Sequence, residues 1–373
     1  GAVQEADTSK YNNNITASDW DSCANVSQAG KFVAGETTFG DLTINHIAND
    51  RLFSTSSKNY GTNALATTAY DDGYTAGGMY YCNGTGGETR RNVTINNVIA
   101  GDKIVVYMAS SNAATGTLVF KYLGEDNEQV EKASFTNKGT KYEFVAKYSG
   151  SYKVYTDAAA GKPIYNRIVR IPGVAVSGTI DGAQLSGYKV MFKDEANGIT
   201  YDADIKGNTF TATLAAGCNY TAVLSGVAGY GFSNATKNIS TTVDEALTGK
   251  SGVTLSIEEK KVYTYTGKVT GFAADYDTSN LSVKLVADSS SLADDVILKL
   301  DSEKAFTATL EPDVKYTVEL IGVNDYEVLS GGEIISQVSY SRDIEVSARR
   351  LYKAAGKFAG LDGNTAVTDV KFT

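Results

Sequence analysis

Two stretches decide the reading of this chain: GNTFTATLAAGCNYTAVLSGV, residues 207–227, and EKAFTATLEPDVKYTVELIGV, residues 303–323. They lie 96 residues apart and share FTATL, followed in both by a turn and a Tyr-Thr strand (Tyr220 and Tyr316) that ends on Leu-x-Gly. Apolar and polar residues alternate through both stretches. That is the period of a half-buried strand, not the 3–4 spacing of a helix. The chain therefore contains a tandem repeat of small antiparallel β-sandwiches.

Working outward, a glycine recurs in the first strand of each copy, as Gly178 in VSGTI, Gly267 in YTGKV and Gly356 in AAGKF. Both of these intervals are 89 residues, so the extra seven of the 96-residue spacing fall between Gly267 and Phe306. ADYDTSN and ADSSSLADD are the expected insertions. The third copy ends at Thr373, too soon to complete a module.

Upstream, short strands are expected around DLTINHIA, RRNVTINNV, KIVVYMA, TLVFKYL, KYEFVAK, SYKVYT and PIYNRIVRI. Their number and spacing suggest a jelly-roll-like sandwich. The expected organisation is a lead-in at 1–18, an N-terminal sandwich at 19–172 and repeats at 173–262 and 263–351. A truncated third repeat occupies 352–373, and Pro172-Gly173 forms the first junction.

The composition of the 373 residues agrees with an all-β chain. There are 37 Gly and 24 Tyr against 3 Pro and 1 His, and 42% of residues are hydrophobic, enough to build real cores. A formal charge of −9 argues against a generic nucleic-acid binder. No apolar run approaches a membrane span, so membrane insertion is not expected. GAVQEADTSK has neither the basic nor the apolar region of a leader. Residues 1–172 are nearly neutral at −1 while the rest carries −8, so an acidic polymer would meet the first sandwich.

Catalytic signals are thin. The one histidine, His46, lies in an alternating strand with no GxSxG or HExxH nearby. Cys23, Cys82 and Cys218 lack metal-ligand spacing. A Cys23–Cys82 disulfide and three free thiols both remain open, with free thiols favoured. The adjacent acids Asp71-Asp72 and Asp294-Asp295 read as solvated loops rather than an acid/base pair. Asp275 and Asp277 begin like a calcium loop but lack its glycine and closing glutamate. No cofactor is expected. A structural calcium would draw on Asp19, Asp21 and Asp41. Eight Asn-x-Ser/Thr sequons do not decide the source.

What remains is a surface of aromatic and basic residues in 51–91. Tyr74, Tyr80 and Tyr81 could stack on sugar rings, and Arg51, Arg90 or Arg91 could pair with a carboxylate. Tyr80 and Tyr81 would point oppositely on a strand, so at most one of them serves. The bland alternative is that these tyrosines belong to the core and the Arg90-Arg91 pair only flanks a strand.

The order of motifs adds a resemblance. It runs from Trp20-Asp21 through FGDLTI (39–44), TRRNVTINN, GDKIVVYMASS (101–111) and TLVFKYLG to SYKVYTDAAAGKPIYNRIVR. Residues 19–172 resemble the non-catalytic β-sandwich module that accompanies pectate lyases and pectinesterases of gut and rumen Firmicutes. The repeats resemble prealbumin-like or Ig-like spacers of large surface enzymes and adhesins. The resemblance implies a secreted or cell-surface bacterial protein, monomeric and non-catalytic in this fragment. Its first sandwich would bind an acidic plant cell-wall glycan, pectin above all. The rival reading is a surface adhesin or structural stalk with a protein partner. A Lys–Asn cross-link would favour that rival, but no such pair is evident in the sequence.

Overall fold

The computed structural model describes residues 33–54, 64–111, 115–157, 162–291 and 293–350. The lead-in, Asp19, Trp20, Asp21, Cys23 and the partial third repeat lie outside the described residues. Almost all regular structure is strand, and the architecture is a series of sandwiches.

The first sandwich comprises β1 (Gly35–Phe39), β2 (Leu42–His46), β3 (Arg51–Ser54), β4 (Gly78–Tyr81), β5 (Asn92–Val98), β6 (Lys103–Ser110), β7 (Gly116–Tyr122), β8 (Val130–Phe135), β9 (Thr140–Val145), β10 (Gly150–Asp157) and β11 (Pro163–Ile171). One sheet runs β1-β2-β5-β10-β7-β8 and the other β3-β4-β11-β6-β9. Alternation explains the core. Leu42, Ile44, Val93, Phe120 and Val154 face inward from the first sheet, and Leu52, Tyr80, Val106 and Tyr165 from the second.

Pro172 and Gly173 alone separate β11 from β12 (Val174–Gly182), the first strand of repeat 1. Proline cannot donate to a ladder, and the chain passes there from one sheet to another. Repeat 1 continues with β13 (Lys189–Asp194), β14 (Ile199–Asp202), β15 (Asp204–Lys206), β16 (Thr209–Leu214), β17 (Asn219–Ser225), β18 (Tyr230–Phe232), β19 (Asn238–Ser240) and β20 (Lys250–Glu259). Its sheets run β15-β16-β12-β20-β18 and β14-β13-β17-β19. The first sandwich and repeat 1 belong to one compact unit, and the chain from Lys261 onward forms another. Within the first unit, Lys103 Nζ donates to the Gly217 carbonyl at 3.3 Å, and Ile171 packs against both the repeat 1 core and the outer face of β6.

The second unit contains β21 (Tyr263–Thr270), β22 (Ser282–Ala287), β23 (Val296–Leu298), β24 (Ala305–Leu310), β25 (Lys315–Ile321), β26 (Tyr326–Ser330), β27 (Glu333–Ile335), β28 (Tyr340–Ser341) and β29 (Ile344–Ala348). Its sheets run β24-β21-β29-β26 and β23-β22-β25-β27, with β28 beside β21. The pairing scheme follows that of repeat 1, except that β15 has no counterpart and β28 is added beside β21. The FTATL strands, β16 and β24, occupy the same place, and so do the YT strands, β17 and β25. The repeats are not wholly antiparallel. The first strand of each pairs parallel with the last, β12 with β20 and β21 with β29. The extra residues of repeat 2 lie between β21 and β22 and between β22 and β23.

The repeated glycine has a steric origin. A Cβ on Gly178 would sit 1.9 Å from the Val253 carbonyl oxygen and 2.8 Å from Phe210. On Gly267 it would sit 2.1 Å from the Arg342 oxygen and 3.0 Å from Phe306. In repeat 1 the last strand, and in repeat 2 the residue leading into it, closes against the first strand so tightly that only a hydrogen fits beneath the FTATL phenylalanine.

Candidate functional site: an aromatic and cationic cluster

The structure disperses the residues that the sequence groups together. Tyr80 is fully buried, not a sugar platform. Its hydroxyl donates to the Asn45 carbonyl at 3.0 Å and to Asp50 at 3.3 Å, and its ring stacks on Tyr165. Arg91 is buried too. Its Nε donates to Asp50 Oδ1 at 2.9 Å and its Nη1 to the Thr85 carbonyl at 3.2 Å. Asp50 also accepts the backbone N–H groups of Ile47 and Asn83. This network fixes the 83–90 turn and commits the buried Arg91 to Asp50. Arg90 is exposed on that turn, at its hydrogen-bonded pairing with Gly87. Tyr81 and Arg51 pair across β4 and β3 on the opposite face from Tyr80, and Tyr81 packs half-buried beside Met79 and Ile164.

The other candidates are also accounted for. His46 is buried, with Nε2 2.9 Å from Thr37 Oγ1, and burial lowers its pKa. Cys82 is a free thiol in the core, and burial pushes it well above its ordinary value. Asp41 binds Arg170 at 2.8 Å and accepts from Asn97, so its carboxylate is already engaged and does not offer an open calcium ligand. No group of three His, Cys, Asp or Glu side chains gathers as metal ligands among the described residues.

Tyr74 is the exception. The segment 64–77, with a 3-10 turn at Ala64–Thr67, supplies Tyr70 and Tyr74 to the outer face of the five-stranded sheet. There they meet Tyr107 of β6, with ring centroids 5.0 Å (Tyr70) and 4.9 Å (Tyr74) from it, both edge-on. Arg167 of β11 completes the cluster. Its guanidinium lies 4.4 Å over Tyr74 and 5.2 Å from the Tyr107 centroid. The pairing of β11 with β6 shifts register between Tyr165 and Arg167, a bulge that breaks strict alternation and brings Asn166 and Arg167 to the same face. Asn166 holds the covering segment. It accepts from the Tyr70 hydroxyl at 2.6 Å and donates to the carbonyls of Leu65 and Gly78.

Asp72 borders the cluster, accepting the Tyr107 hydroxyl at 2.6 Å and the Tyr74 N–H at 2.9 Å, with Lys141 Nζ 3.7 Å away. Burial acts to raise its pKa. The Tyr107 and Tyr74 hydrogen bonds, with Lys141 and Arg167, outweigh that and hold it below the usual value. Sequence reasoning named Tyr74 but missed Tyr107 and Arg167, which topology brings together from distant strands. The available signal was Asn166-Arg167 interrupting the apolar alternation of PIYNRIVRI.

No protein-family profile and no curated protein matches the chain. The resemblance of residues 19–172 to pectinolytic modules therefore has no family match behind it. Among solved structures, the chain is similar to the shaft pilin SpaA of Lactobacillus rhamnosus GG, at 13% identity over 48% of this chain and 100% of that one, TM-score 0.23. It is similar to GBS52, the minor pilin of Streptococcus agalactiae, at 9% identity over 49% of this chain and 100% of that one, TM-score 0.22. It is also similar to the Bacillus anthracis TIE protein, at 13% identity over 75% of this chain and 56% of that one, TM-score 0.20. Likenesses this low in TM-score carry no inference about ligand or partner.

Proposed function

We propose that this chain is a non-catalytic part of a secreted or cell-surface bacterial protein, in which tandem sandwiches serve as a structural stalk behind an N-terminal sandwich that recognises a partner. The observation that carries this reading is the pairing scheme shared by the main strands of the two repeats, each copy with its own apolar core. A module repeated for mechanical or spacing purposes needs only its core and its closing strands, and these are what the two copies share. Their loops and outer faces differ, as the insertions around ADYDTSN and ADSSSLADD illustrate. The polar groups that could have done chemistry in the first sandwich are engaged in its architecture. Asp50 accepts from both Arg91 and Tyr80, and His46 is buried beside Thr37.

A pectin-binding head is the second reading. The cationic and aromatic cluster around Arg167 favours it over a bare stalk. The test of the proposed function is to incubate the full chain with pectins, xylans, other cell-wall polysaccharides and ester substrates. The expected result is no turnover above buffer. Reproducible turnover, abolished by changing one carboxylate of this chain, would overturn it.

A further inference from the structure

Arg167 is in an unusual position for an arginine. It is only 9% exposed, yet its Nε has no acceptor, and none of its donors makes a hydrogen bond or ion pair with the described residues. A buried guanidinium normally reaches a carboxylate or several carbonyls, because desolvating five N–H donors is costly without them. Here the group is held by ring faces instead, between Tyr74 and Tyr107. Aromatic faces fix the plane of a guanidinium and attract its charge but leave its in-plane donors unused. Burial lowers its pKa, with Tyr107, Tyr74 and Asp72 opposing, and an arginine so placed stays charged.

We propose that the Arg167 guanidinium, clamped between Tyr74 and Tyr107, is the receptor for the carboxylate of a hexuronate residue in a glycan. This deepens the reading of the first sandwich as a recognition head and rests on it. A carboxylate is planar and matches two parallel N–H donors of a guanidinium, whereas a lone hydroxyl or carbonyl uses only one. Tyr107 is only 6% exposed, so contact with a sugar ring falls to the half-buried Tyr74. Asp72, beside the clamp, is an acceptor for a sugar hydroxyl. Two further charges refine the class. Lys138 pairs with Asp71 at 3.4 Å, and Lys141 lies 3.7 Å from both Asp72 and Glu143, so the rim alternates in sign. Such a rim suits one carboxylate at a time and disfavours a phosphate dianion. The site is pre-organised, since the clamp and its bulge exist before any ligand arrives.

The experiment is calorimetric titration of the full chain with D-galacturonate, D-glucuronate, methyl galactoside, acetate, inorganic phosphate and a glutamate-rich peptide. A hexuronate should bind saturably in the millimolar range, at least about tenfold tighter than acetate, phosphate, the peptide or the neutral sugar. Arg167→Gln should weaken hexuronate binding about tenfold or more, and Arg167→Lys should fall between, since an ammonium cannot pair bidentately. Tyr74→Ala, which removes one clamp face and leaves the arginine, should weaken it several-fold and serves if Arg167→Gln does not fold. Absence of saturable hexuronate binding by the wild-type chain overturns the site whatever the variants do. So does a folded Arg167→Gln that binds undiminished. Equal binding of acetate, phosphate or the acidic peptide overturns the sugar assignment. None of these outcomes bears on turnover, so the non-catalytic reading stands or falls separately.

Discussion

Replacing Gly267 by alanine should single out repeat 2 for destabilisation. The backbone φ there is ordinary, so the penalty is steric. The new Cβ would meet the Arg342 carbonyl oxygen at 2.1 Å, and that oxygen must retreat by nearly 1 Å to reach any normal contact. It cannot do so freely. The Arg342 carbonyl accepts the Tyr265 hydroxyl at 2.8 Å, and the Arg342 N–H donates to the Thr266 carbonyl at 2.9 Å. Disturbing two such bonds costs about 0.5–1.5 kcal/mol each. Overpacking against Phe306 adds about 1–3 kcal/mol, and the stiffer unfolded chain returns about 0.4–1 kcal/mol. The net loss should be about 3 kcal/mol, or roughly 12–24 °C in the melting temperature of a module this size. Scanning calorimetry of the full chain should show one transition lowered while the rest stay in place. Gly178→Ala should do the same to repeat 1, and Gly87→Ala, whose Cβ meets nothing closer than 4.0 Å, should do almost nothing. A Gly267→Ala chain melting within about 3 °C of wild type would refute the close approach of Arg342 to the first strand.

Two other predictions concern buried charge in the first sandwich. Asp50→Ala strands Arg91 in the core and should cost about 3–5 kcal/mol in urea unfolding; a loss below about 1 kcal/mol would mean that the Asp50–Arg91 pair is not the lock of the 83–90 turn. Asp102 is buried at the junction with repeat 1, and burial raises its pKa from 3.8 to about 6 despite the Ile99 N–H and Arg170. A raised acid keeps its proton longer in the folded state, so stability falls as pH rises from about 4 to about 6 and levels off above. Asp102→Asn should abolish that slope, by about 1–3 kcal/mol across the window; parallel pH profiles for variant and wild type would contradict it.

The fold was legible because its signals are local. FTATL, the YT strand and the glycine spacing each report a period or a steric need within a few residues, and the structure places them in equivalent strands of both repeats. The parallel closure of first and last strands was not legible, since nothing in β12 or β20 taken alone sets their relative direction. The candidate site was read less well for the same reason. Tyr80 and Arg91 sit among loop-like neighbours in the sequence, and only the packing of the sheet that holds β3 and β4 against the sheet that holds β5 brings Asp50 to them. Tyr74 was recognised, but its partners come from β6 and β11, and a bulge that sequence alternation only hints at turns Arg167 toward it.

The described chain is a series of sandwiches, each with its own apolar core. Single-molecule force extension of the full chain tests this most directly. With roughly 3.3–3.6 Å of contour per residue, the account predicts two unfolding events of about 25–30 nm from the repeats and one near 45 nm from the first sandwich. A single event releasing the whole chain, or increments matching none of the three cores, would contradict it.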